Sequence, residues 1–311
     1  MFKYNDNEFI KKITTLSSRY MKIKNVEAVI PPNTPHFVGD GFRVHGFIPG
    51  KHPLSMKRMS PFLLLDYNAK VNFPPSETPR GVGVHPHRGF ETVTIAYKGK
   101  VAHHDSSGGG GVISEGDVQW MTAASGILHK EFHEEDYSKK GGDFQMVQLW
   151  VNLPAKDKMS EPKYQAIKND EMTKLELENN AGTLEIIAGN YGNAKGTATT
   201  FTPINLFNAY LKNGANISFS FTESDNTALL VIEGSITIND TDKAPTDHFV
   251  LFTNKGEDFT VRADEDALVL VLSGQPIDEP IASYGPFVMN TDEEIMQAVK
   301  DFQSGKFGYL D

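Results

Sequence analysis

Short runs of β-branched and aromatic residues, cut every few positions by Gly, Asn, Asp or Pro, limit most severely how this chain can fold. Thr92-Val93-Thr94-Ile95-Ala96-Tyr97, Val118-Gln119-Trp120-Met121 and Phe144 to Val151 are examples in the first half. Leu184 to Ala188, Ile217 to Phe221, Ala228 to Ile232, Ser235 to Ile238 and Leu268 to Leu272 continue the pattern. Many short strands with frequent turn residues predict an all-β sandwich or barrel. Two segments read as one repeated strand-turn-strand element: Ile95 to Val101 around Lys98-Gly99, and Leu230 to Ile236 around Glu233-Gly234. Two copies of one barrel account for both. The boundary is expected near Asn152-Leu153-Pro154, giving lobes 1–153 and 154–311. Near the end, Thr291-Asp292-Glu293-Glu294 has the form of a capping box, with Ile295, Val299 and Phe302 on one helical face and Gly305 as the stop. That helix is expected to be structural, sealing a barrel.

At 311 residues the chain is long enough for two ordinary domains. A net charge of -10 argues against a sequence-independent grip on nucleic acid. There is no cysteine, which removes disulfides, iron–sulfur clusters and thiolate nucleophiles. Met1 to Lys22 lacks the apolar core of a secretory signal, and no run approaches the ~18 apolar residues of a membrane span. The expectation is a cytoplasmic protein, without membrane or direct nucleic-acid contact.

Nine of the ten histidines lie in the first 133 residues. His85-Pro86-His87 precedes a strand-forming run, and residues i and i+2 of an extended chain share a face. His129-Lys130-Glu131 repeats the spacing with a carboxylate as second member. If the two segments lie side by side, three imidazoles and one carboxylate converge, a set suited to Fe, Mn, Ni, Cu or Zn with positions left open. Spacing alone leaves the alternative of surface or hydrogen-bonded histidines standing. Gly108 to Gly111 lacks the Gly-Lys-Ser/Thr of a phosphate-binding loop and reads as a turn. Glu91, four residues after His87, is a reserve ligand. His103 and Asp105 are expected near the barrel mouth without ligating, and Phe90, Trp120, Met121 and Ile127 as core or cavity lining.

The run His85 to Thr94, with His103-His104-Asp105-Ser106, Gly116 to Ala123 and Gly126-Ile127-Leu128-His129-Lys130-Glu131, resembles the pirin family of the cupin superfamily. Tyr284 to Thr291 matches the family's ending, so the resemblance covers nearly the whole chain. One departure is Ala124, where the family usually has Gly. The resemblance implies a bicupin, two tandem antiparallel β-barrels with a short C-terminal helix. One divalent transition metal, iron first, is then held in the N-terminal lobe by His85, His87, His129 and Glu131. The C-terminal lobe is metal-free, in keeping with the lack of an H-x-H near Glu233-Gly234.

The resemblance also implies a quercetin 2,3-dioxygenase-like activity, with a flavonol-type aromatic and O2 as substrates and Glu131 as general base. The alternative is a metal-dependent regulatory protein that binds a protein partner without turnover, and the acidic charge favours such a partner over DNA. A monomer is expected from two barrels joined in one chain.

Overall fold

The computed structural model describes residues 22–311, so the leader reading of Met1 to Lys22 falls, except for Lys22, outside the described residues. The chain forms two sandwiches, each pairing a seven-stranded sheet with a four-stranded one. In the first lobe the large sheet runs Lys163–Ile167, Val118–Thr122, Phe90–Lys98, Gly142–Asn152, Phe62–Phe73, Phe42–Ile48 and His36–Val38. Its small sheet runs Gly81–His87, Ile127–His133, Val101–Asp105 and Gly110–Ile113. The second lobe repeats the plan. Its large sheet is Val26–Ile30, Phe249–Phe252, Asn226–Glu233, Ala267–Gly274, Ile204–Leu211, Gly182–Ala188 and Thr173–Glu176. Its small sheet is Asn216–Ser220, Asp258–Ala263, Ser235–Ile238 and Asp242–Pro245.

Ranked by chain order, the small-sheet strands stand first, fourth, second, third in both lobes. The repeat suspected around Lys98-Gly99 and Glu233-Gly234 is therefore a repeat of topology, each glycine turning a large-sheet strand into a small-sheet strand at positive φ (82° and 77°). These are the two tandem antiparallel barrels that the resemblance implies, and the all-β class that the strand pattern predicts.

Sheet pairing crosses the boundary expected at 153 in both directions. Lys163–Ile167 pairs with Val118–Thr122 on the edge of the first lobe, and Val26–Ile30 pairs with Phe249–Phe252 on the edge of the second. Each lobe thus protects the other's open edge. The large sheets meet face to face. Val93, Ile95, Tyr97 and Trp120 pack with Leu206, Leu230, Phe249 and Leu270 in one buried cluster. Burial of that size, at ~25 cal/mol per Å² of apolar surface, makes the interface a core rather than a contact.

The C-terminal helix, Asp292–Gln303, has Thr291 as N-cap and a complete capping box with Glu294. Its buried face is Ile295, Ala298 and Asp301; Phe302 stays partly exposed. The predicted apolar stripe is rotated because Asp301 turns inward to meet Arg88 of the first lobe. The tail counted with 154–311 docks on 1–153.

Candidate metal centre

The His85 and His129 strands lie side by side in one antiparallel ladder, and in the His129 strand every second residue, from Ile127 to His133, is buried. His129 stands opposite His85, and Ile127 opposite His87. On its other side the His129 strand pairs with Val101–Asp105, setting His129 opposite Asp105 and Glu131 opposite His103. The imidazoles of His85, His87 and His129 gather as a result. Their ring centroids are 4.2 Å (His85 to His129), 4.7 Å (His87 to His129) and 4.9 Å (His85 to His87) apart.

One nitrogen from each ring lies within 4.8 Å of the others. Two bonds of ~2.1 Å to a common ion span at most ~4.2 Å, so a small rotation of one ring closes the set. His129 Nε2 is buried without a partner, and an orphaned donor or acceptor at that depth is a cost that a metal bond removes. The residues fit a divalent ion. Burial pulls the His87 imidazole down to about 3, helped by the adjacent His85. Burial, with His87 beside it, also holds His129 well below the ordinary imidazole range. Neutral imidazole is the form that ligates.

Glu131 falls into a second group, with His129 and His103, whose ligand atoms are again within 4.8 Å. Its carboxylate accepts hydrogen bonds from Gln148 Nε2 (2.9 Å), Gln119 Nε2 (3.1 Å) and Thr94 Oγ1 (3.2 Å). Burial works to raise its proton affinity. The hydrogen bond toward His103, the neighbouring imidazoles and the Gln148 amide outweigh it, and the carboxyl is held well below its usual range. His103, fully buried, lies between two carboxylates, with Nε2 at 3.5 Å from Asp105 and Nδ1 at 3.9 Å from Glu131.

The sequence expectations divide here. His85, His87 and His129 come together; Glu131 joins them through His129 rather than by facing His85 and His87 directly. His103, expected not to ligate, is fully buried against Glu131 and within ligand reach of both Glu131 and His129. Thr94, Gln119 and Gln148 are partners that spacing does not reveal, although each is a polar residue flanked on both sides by apolar ones. Glu91 is no ligand. It shares a face with Val93, Ile95 and Tyr97, which pack against the second lobe, while Thr94 on the opposite face reaches Glu131. Glu91 instead accepts from Thr122 Oγ1 at 2.6 Å. Trp120 likewise belongs to the interlobe core, and Met121 and Ile127 pack with Ala123.

Phe90 lies against the site. Its ring stacks on Trp150 at 4.2 Å, and both rings lie beside His87, at 5.0 and 5.2 Å. Gly108 to Gly111 forms part of a hairpin turn between Val101–Asp105 and Gly110–Ile113. Of the other first-lobe histidines, His36, His52 and His104 are exposed, His45 bonds to the Asn33 carbonyl, and His133 stacks on Phe144. The crowding of histidine in the first half therefore exaggerates the site.

Comparison with known proteins agrees with this geometry. The family model described as Pirin matches residues 41–151, and the one described as Pirin C-terminal cupin domain matches residues 206–308. A crystal structure of quercetin 2,3-dioxygenase from Acinetobacter baumannii superposes with a TM-score of 0.87 at 48% identity, covering 93% of this chain and 100% of that one. A Pseudomonas aeruginosa protein whose name provisionally assigns it quercetin 2,3-dioxygenase activity is 45% identical over 285 residues, 92% of this chain and 99% of its own. A pirin-like protein of Solanum lycopersicum is 39% identical over 257 residues, 82% of this chain and 84% of its own. With both barrels matched and the histidine pairs in place, the chain belongs to the pirin family of bicupins.

Proposed function

We propose that the first lobe is a metal-dependent dioxygenase site for flavonol-type enolic aromatics, with His85, His87, His129 and Glu131 as ligands and iron as the metal. The observation that carries this reading is the convergence of three imidazoles, one of them His129 with its Nε2 buried and unpartnered. The quercetin 2,3-dioxygenase named in Acinetobacter baumannii supports the substrate class.

A divalent ion held by these residues would supply Lewis acidity toward an enol oxygen and its hydroxyl. Glu131, ionised at neutral pH, accepts that hydroxyl proton. Gln148, Gln119 and Thr94 fix the carboxylate's position while it does so. The half-buried Trp150 ring, backed by the fully buried Phe90, offers an apolar surface beside His87 for a planar aromatic. The large sheets already cover each other, which fits a monomer, and the cytoplasm is the proposed setting.

Oxygen uptake with quercetin tests the reading. Glu131→Gln is expected to keep partial metal binding and to lose most turnover, at least about 100-fold. Turnover equal to wild type would remove Glu131 from the chemistry. Metal binding without oxygen uptake across a set of flavonols would replace the enzyme by a regulatory protein acting on a protein partner.

A further inference from the structure

The ligand-bearing strands are gripped from outside by a segment that follows the whole second lobe in the chain. The Pro286 carbonyl accepts from His87 Nδ1 at 3.3 Å. Next to it, Arg88 has a side chain 5% exposed and pairs with Asp301 of the C-terminal helix at 2.9 Å. Arg88 also lies over the Phe307 ring, 4.7 Å from its centre, and Val288 donates to the Arg88 carbonyl. The His129 strand is held as well. Ser106 accepts from the Leu128 amide at 3.0 Å and donates to the Phe307 carbonyl at 2.6 Å. Both halves of the site therefore rest on residues 286–307.

We propose that docking of this C-terminal segment and loading of the metal site are thermodynamically coupled, with Asp301, acting through Arg88, as a positioning residue for His87. The inference rests on reading His85, His87 and His129 as metal ligands. The physical cause is the fixed ring. A carbonyl on Nδ1 puts the proton there and leaves Nε2 to ligate, so ring orientation and tautomer both depend on where Pro286 sits. Arg88 cannot be left alone: a guanidinium buried to this degree needs its carboxylate, and losing it releases the loop. Coupling of this kind is reciprocal, so metal must tighten the tail as much as the tail tightens metal.

Co²⁺ serves as the probe because its visible absorption reports ligand geometry. Asp301→Asn is expected to weaken Co²⁺ binding by about 10- to 100-fold and to alter the absorption bands, while Asp301→Glu recovers most of the affinity. In the wild type, where folding is not at issue, saturating Co²⁺ is expected to slow amide hydrogen exchange in Asp292–Gln303. An Asp301→Asn protein with reduced melting temperature but unchanged affinity and spectrum would overturn the coupling, as would helix exchange indifferent to Co²⁺. A wild type that binds no Co²⁺ would overturn the metal reading itself and the coupling with it.

Discussion

In the first lobe the strands Gly81–His87 and Ile127–His133 bring His85, His87 and His129 together, with Glu131 beside His129. In the second lobe the strands of the same rank, Asn216–Ser220 and Asp258–Ala263, bury Ile217, Phe219, Phe259 and Val261 in one apolar cluster. Phe259 stacks on Phe219 at 5.3 Å and lies 4.4 Å from Phe252. One strand order therefore supports two interiors. The apolar one is filled by rings that gain free energy from burial alone. The polar one keeps groups that need partners, and in part lacks them, as His129 Nε2 shows. Buried polar atoms without partners cost stability that an apolar interior does not lose.

A matched pair of substitutions sharpens that contrast. His129→Ala leaves two imidazoles on one strand, and metal affinity is expected to fall on the order of 10³-fold, since a bound divalent ion is worth ~10–16 kcal/mol shared among its ligands. The chelated variant should melt within about 3 °C of chelated wild type. Phe259→Ala is expected to cost about 3–5 kcal/mol in denaturant unfolding, with metal affinity unchanged in the folded protein. Isothermal titration and urea melts measure both. A Phe259→Ala protein that loses its metal affinity would break the division of labour between the lobes.

Where the lobes meet, Glu91 brings a carboxyl into the shared apolar core. Burial pushes it up to about 7, against the hydrogen bond from Thr122 that lowers it. Its folded pKa lies above its unfolded one, so its contribution is fully present below about pH 4.5 and is lost as pH rises through about 7. At ~1.36 kcal/mol per pH unit, wild type should lose up to about 3 kcal/mol of stability between pH 5 and pH 8 from this group. Glu91→Gln should flatten that slope. Denaturation midpoints across the range decide it, and an unchanged slope would mean that the carboxyl is hydrated at the interface rather than buried.

Much of this was legible in the sequence, and what was not shares a cause. Val93, Ile95 and Tyr97 announce a strand by their β-propensity, and the i, i+2 spacing of His85 with His87 and of His129 with Glu131 fixes which side chains turn together. Those are local properties. Glu91 stays open as a reserve ligand in the sequence because spacing from His87 gives distance along the chain but not which face of Phe90–Lys98 looks into the barrel. The exchanged edges Val26–Ile30 and Lys163–Ile167 escape for a similar reason: a strand's own residues do not name its neighbour. The docking of Asp301 on Arg88 joins residues 213 apart, and nothing near either one signals the other.

The turns that enter the fourth small-sheet strands offer the finest comparison. In the second lobe that turn contains Gly256 at φ 78°, where an added Cβ would run into the Ile23 carbonyl. In the first lobe the corresponding connection contains Ala124 at φ 41°, buried, with its carbonyl accepting from the Gly89 amide at 2.8 Å. A left-handed alanine costs roughly 1–2 kcal/mol in backbone strain. Ala124→Gly would relieve that, but it loses a buried methyl worth ~0.8 kcal/mol and adds ~0.4–1 kcal/mol of unfolded-chain entropy. The three nearly cancel, so Ala124→Gly should change stability by less than about 0.5 kcal/mol. Gly256→Ala has no such offset, because strain and collision act together, and should cost about 2 kcal/mol or more. Urea melts of the two variants measure the asymmetry. A large gain from Ala124→Gly would mean that the methyl is poorly packed, and that the first lobe carries strain at its ligand turn as well as in its polar interior.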